Sequence, residues 1–149
     1  MTMRLPTPDE IAERLTAAIP ARLVQSVTIE GNSVEIACGD LPALGGATAI
    51  TWQEADGWPC NIYAPRLIYE EWSLEQTTVE AVDHFAQVVK DLFAGIIIIE
   101  TWYFRRTGTH WRTRLVDPRK PAGAQVVTTY NRTAYRWLRP VRVERTSLL

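Results

Sequence analysis

Residues 77–95 constrain the fold more than any other stretch of the chain. Thr77-Thr78-Val79-Glu80 has the pattern of a helix capping box, and Gly95 is a natural helix stop. Between them, at about 100° per residue, Val79, Val82, Phe85, Ala86, Val88, Val89, Leu92 and Phe93 fill one half of the helical wheel. Glu80, Asp83, His84, Gln87, Lys90 and Asp91 fill the other half. So clean a division requires a helix with one packed face and one wet face. The surface it packs on must come from its flanks.

The flanks read as strands. Val27 and Ile29 alternate with polar residues, and Val34 and Ile36 answer them across Gly31-Asn32, a dipeptide suited to a tight hairpin turn, so that this apolar face is expected in the core and the other in water. Residues 47–53 and 60–64 form a second pair around Asp56-Gly57, and residues 66–72 extend as a further strand. After the helix, Ile96 to Phe104 is rich in β-branched and aromatic residues and reads as a strand buried on both faces near its start. Thr107-Gly108-Thr109 turns the chain, residues 110–116 return it, and residues 124–130 form another strand. The tail from Thr133 reads as either helix or strand. A first helix precedes all of this: Thr7-Pro8-Asp9-Glu10 caps it, Ile11, Leu15 and Ile19 form one stripe, and Pro20 stops it.

Hairpin connections dominate this order. They predict an α+β fold in two layers, with a mainly antiparallel sheet of about six to eight strands and two principal helices packed on one side. The length, 149 residues, suits a single domain over 1–149, with 134–149 as a peripheral docking arm. The longest strongly apolar run, Ile96–Ile99, is far short of a membrane span, and no apolar leader follows Met1. A cytoplasmic protein with reduced Cys38 and Cys60 is expected.

Charge is distributed unevenly. Residues 1–100 carry 5 basic and 15 acidic residues, whereas residues 101–149 carry 11 basic and 2 acidic ones. The basic end invites an acidic partner, unless the two halves neutralise each other within the fold. Of the 16 basic residues 14 are Arg, the type suited to bidentate grip of carboxylate or phosphate, although a GC-rich genome produces the same bias.

Catalytic motifs are missing from the sequence. There is no phosphate-binding glycine loop and no nucleophile elbow. Cys38, Cys60, His84 and His110 lack metal-ligand spacing, so neither a metal nor a cofactor is implied. Asp83 and His84 point about 100° apart on a helix, and Glu70 and Glu71 point to opposite faces of a strand, so neither pair makes an acid–base site.

The segment 102–114 remains. It interleaves Trp102, Tyr103, Phe104 and Trp111 with Arg105, Arg106, His110, Arg112 and Arg114. Strict alternation puts His110, Arg112 and Arg114 on one face and Trp111, Thr113 and Leu115 on the other. A second basic–aromatic stretch holds Arg136, Trp137 and Arg139. The candidate partner-binding residues are therefore Arg105, Arg106, His110, Trp111, Arg112, Arg114, Arg136, Trp137 and Arg139. The reading is a noncatalytic protein-interaction module of the chaperone, immunity or assembly-factor kind, which binds an acidic partner surface. Single-stranded nucleic acid on the same Arg/Trp-rich face is the alternative, since cations suit phosphates and flat rings suit bases. The pI of about 6.1 argues against it. A homodimer is admitted, and no membrane partner is expected.

Overall fold

The computed structural model describes residues 6–53, 60–71, 78–104, 108–131 and 140–149. The first helix, α1 (Pro8–Ala17), begins where Thr7 accepts a hydrogen bond from the Glu10 amide at 3.2 Å, with Pro8 in its first turn. Five strands follow: β1 (Ser26–Glu30), β2 (Ser33–Leu41), β3 (Gly46–Gln53), β4 (Cys60–Ala64) and β5 (Leu67–Glu71). The second helix, α2 (Val79–Phe93), is capped by Thr78, whose side chain accepts from the Ala81 amide at 3.1 Å. Gly95, at φ 77°, takes the left-handed position after its last turn. The chain ends in β6 (Ile98–Phe104), β7 (His110–Val116), β8 (Val126–Asn131) and β9 (Pro140–Thr146).

The fold is α+β and its strands pair antiparallel. The expected single sheet is divided in two, a five-stranded sheet in the order β1-β2-β3-β4-β5 and a four-stranded sheet in the order β8-β7-β6-β9. The reason lies in α2. The first five strands are consecutive hairpins, and the helix then carries the chain away from the β5 edge, so β6 starts a new sheet.

In the first sheet, Ile36, Ile50, Ile62 and Tyr69 stand side by side on four adjacent strands. The three isoleucines are at most 1% exposed, and Tyr69 stacks on Phe85 of α2 at 6.0 Å. Each such side chain contributes roughly 1.5–3 kcal/mol by leaving water. The buried cluster also takes in Ile11 and Leu15 of α1, Val82 and Val89 of α2, and Ile99 and Leu115 of the second sheet. Both sheets and both helices therefore share one core. Within the tail, Pro140–Thr146 is a strand, and Leu148 behind it is buried.

Two expectations about strand burial are corrected. Val27 and Ile29 of β1 are exposed, because β1 is the outermost strand of its sheet. Ile96 is exposed too, since the strand begins only at Ile98. On α2, Asp91 belongs to the polar half but is buried, holding Gln87 at 2.9 Å and Arg119 at 2.7 Å.

Candidate functional site

The site is the outward face of the second sheet. Its central strands β6 and β7 pair in register from Ile98–Val116 to Trp102–Arg112, but the next pair is Tyr103–His110. One residue of β7, Trp111, is therefore extra. Such a β-bulge breaks strict alternation. Trp111, Arg112 and Arg114 consequently gather near Trp102, with Trp111 itself only 9% exposed under Arg112, whereas His110, Thr113 and Leu115 lie buried beneath.

This reverses the alternation expected for the turn end of β7. His110 leaves the arginine face: it is 3% exposed, its Nε2 is 2.7 Å from Thr113 Oγ1, and its ring stacks on Tyr130 at 6.4 Å. Trp111 moves in the opposite sense and joins the arginines. Arg105, Arg106, Arg136, Trp137 and Arg139 lie outside the described residues.

The aromatic platform is a pair of indoles. Trp102 and Trp111 have ring centres 5.6 Å apart and inclined by 20°, and Phe104 leans on Trp111 at 6.1 Å. The Arg112 guanidinium carbon lies 4.5 Å from the Trp102 ring centre and 4.2 Å from that of Trp111. The Arg114 guanidinium carbon lies 4.5 Å from Trp102. Each such cation–π contact is worth roughly 0.5–2 kcal/mol, depending on desolvation.

These two cations differ from the other described arginines of the C-terminal third. Arg119 binds Asp117 and Asp91, at 2.9 and 2.7 Å. Arg145 binds Glu100 at 2.6 Å, and Arg142 lies 3.5 Å from Glu144. Among the described residues neither Arg112 nor Arg114 has a carboxylate within 4 Å: Glu100 stands opposite Arg114 across the strands but is bonded to Arg145, and Arg112 Nε donates to Asn131 Oδ1 at 2.7 Å. Burial, then the charge of Arg114, lowers the pKa of Arg112. The guanidinium stays charged regardless.

Hydrogen bonding points the same way. Trp102 Nε1, Trp111 Nε1 and Arg114 Nε are shielded from solvent and find no acceptor among the described residues. A buried donor left unpaired costs roughly 1–3 kcal/mol. The cluster thus holds an excess of donors and positive charge over acceptors.

Apolar positions flank the platform, one beside Trp102 and the others beyond the Arg145–Glu100–Arg114 row. Ile98 and Val116 pair directly, Val116 pairs with Val126, and Val143 pairs with Trp102. Val126 and Val143 are about half exposed, at 48% and 49%. A groove of ≈ 420 Å³ runs between Val126 and the Glu100–Arg145 pair. Sequence reading missed these apolar positions, Asn131 and the partnership of Trp102 with the arginines. Only the strand register brings them together, and nothing local in the sequence announces the bulge.

A second cleft, of ≈ 530 Å³, lies between Leu41 and Leu148, with Arg66 and Tyr103 on its wall. Arg66 Nη1 donates to the Tyr103 hydroxyl at 3.3 Å, and Asp40 and Glu144 also line the cleft. Its charges are mixed, unlike those of the Trp102–Trp111 platform. Among the described residues no group of His, Cys, Asp or Glu is placed to hold a metal ion.

Comparison with protein-family models, with curated proteins and with solved structures returned no match.

Proposed function

We propose that this chain is a noncatalytic protein-interaction module whose second sheet receives a carboxylate-bearing segment of a partner protein. One observation carries the reading: Arg112 and Arg114 sit on paired indoles without a carboxylate partner, while Arg119, Arg142 and Arg145 are already matched. A guanidinium whose plane is held by an aromatic ring loses little freedom when a carboxylate arrives, so the binding energy is not spent on ordering it. Val143 beside Trp102, and Ile98, Val116 and Val126 beyond the Glu100–Arg114 row, suit apolar side chains flanking that carboxylate.

Nucleic acid would use the same surface differently. Base stacking needs open aromatic faces. Here guanidinium groups lie against both indoles, which favours the carboxylate reading. A reducing cytoplasmic setting belongs to the same proposal and fits the burial of Cys38 and Cys60.

The test is fluorescence anisotropy with a labelled peptide of alternating Glu and Val, against a labelled oligothymidylate. The peptide is expected to bind more tightly, and Arg112→Ala with Arg114→Ala to weaken it about tenfold or more, the equivalent of about 1.4 kcal/mol. Tighter oligothymidylate binding that collapses with salt overturns the protein-partner reading. No binding of either probe overturns the site.

A further inference from the structure

The free edge of the first sheet carries a separate inference, independent of the function proposed above. A sheet edge is a template for another strand, and folded proteins usually block it. The outer strand of the second sheet, β9, begins at Pro140 and carries Arg142, Glu144 and Arg145, each more than half exposed. At the other ends, β5 and β8 lie against one another. Among the described residues strand β1 has neither kind of protection. It reads Ser26-Val27-Thr28-Ile29-Glu30, and its only charge is at its last residue.

The side chains of β1 show the same lack of cover. Val27 pairs with Ile36, and Ile29 with Val34. The β2 partners are 0% and 1% exposed, whereas Val27 and Ile29 are 43% and 41% exposed. The helical layer thus seals β2, whereas α1 reaches β1 without covering Val27 and Ile29. Apolar side chains on the core face of the sheet are left half in water.

The hairpin geometry fixes which backbone groups face outward. The loop Gly31-Asn32 closes on the pair Glu30–Ser33. The closing pair of a two-residue loop exchanges both hydrogen bonds, and bonded pairs then recur at every second residue, at Thr28 and Ser26. Val27 and Ile29 therefore turn their N–H and C=O groups away from β2.

We infer that β1 pairs antiparallel with β1 of a second copy of this chain, about a two-fold axis through Thr28. That register is self-complementary. Val27 faces Ile29 of the second copy, and these are the residues with outward backbone groups, so each pair exchanges two hydrogen bonds. The same alignment lays the exposed Val27 and Ile29 side chains against each other. Glu30 faces Ser26, so no like charges meet. The result is a continuous ten-stranded sheet and an isologous interface. An edge contact buries less than a standard stable interface, so the dimer is a weak one.

Sedimentation equilibrium of the whole chain from micromolar to millimolar concentration tests this, together with two cysteine variants. The average mass is expected to rise from the monomer value of 16.9 kDa toward twice that. Ile29→Lys is expected to hold it at the monomer value with an unchanged far-UV spectrum, because the site is already partly exposed. Across the axis Thr28 opposes Thr28 with Cα atoms about 4.5 Å apart, within disulfide reach. Thr28→Cys is therefore expected to cross-link on mild oxidation and Ser26→Cys not to. The inference is overturned by a monomer at millimolar concentration, by a dimer that survives Ile29→Lys, or by equal cross-linking at both positions. If Ile29→Lys fails to fold, the Thr28→Cys and Ser26→Cys comparison decides alone.

Discussion

His110 Nε2 lies 2.7 Å from Thr113 Oγ1, although the two residues are three apart on one strand. In an unbroken strand, residues three apart point to opposite faces. The contact exists because Trp111 is the extra residue of a bulge, and the same bulge sends Trp111 out to meet Trp102. One irregularity therefore buries a histidine and builds the indole platform.

This relationship is open to mutation. Thr113→Val keeps the volume but removes the hydroxyl from a fully buried site beside the imidazole. Losing that partner is expected to cost about 1–3 kcal/mol in urea unfolding. Trp111→Ala removes the stack with Trp102, worth about 0.5–1.5 kcal/mol beyond its buried area. It is expected to weaken acidic-peptide binding as well, whereas Thr113→Val is expected to lower stability with little effect on binding at saturating native protein.

Acid is expected to loosen the loop after β7. Arg119 clamps two buried carboxylates, Asp117 and Asp91, and so ties that loop to the end of α2. The hydrogen bonds from Arg119 hold the Asp117 carboxyl below the usual aspartate range, although burial opposes them. With its folded pKa depressed, Asp117 contributes full stability above the ordinary aspartate value of about 3.9. That contribution is lost as pH falls from there through the folded value. Thermal unfolding of wild type and Asp117→Asn is expected to show a smaller difference at pH 3 than at pH 6. Equal differences at both would contradict the clamp. Arg119→Met leaves two buried carboxylates without their cation and is expected to lower Tm at pH 7 by several degrees.

Cysteine chemistry offers an independent check on the core. Burial pushes the Cys38 thiol up to about 11, and it is 3% exposed. At pH 8 only about one molecule in a thousand then carries the reactive thiolate there. Labelling of Cys38 by a thiol reagent in native protein is expected to be at least about a hundredfold slower than in urea. Rapid native labelling would mean that β2 is not packed as described.

How far the sequence spoke for this structure can be judged residue by residue. The α2 helix was legible because capping residues, a full apolar half and a stop glycine all agree. The β1–β2 hairpin was legible from Gly31-Asn32. Alternation could not show that Val27 and Ile29 stay exposed, since it reports which face a residue takes and not how far the helices reach over it. Charge counting saw the basic end but not which arginines are matched, because Arg119 meets Asp91 and Arg145 meets Glu100 only through the fold. Strict alternation puts Trp111 on the wrong face because a bulge is a property of two paired strands and leaves no mark on either alone.

The most direct measurement is a ¹H–¹⁵N spectrum of the Trp indole and Arg side-chain groups as an acidic peptide is added. Trp102 Nε1–H, Trp111 Nε1–H and Arg114 Nε–H are expected to shift together and saturate at one peptide per chain, with Trp52, which is 4% exposed in the core, unmoved. Shifts that spare this cluster, or that spread evenly over all the arginines, would contradict a carboxylate site on the second sheet.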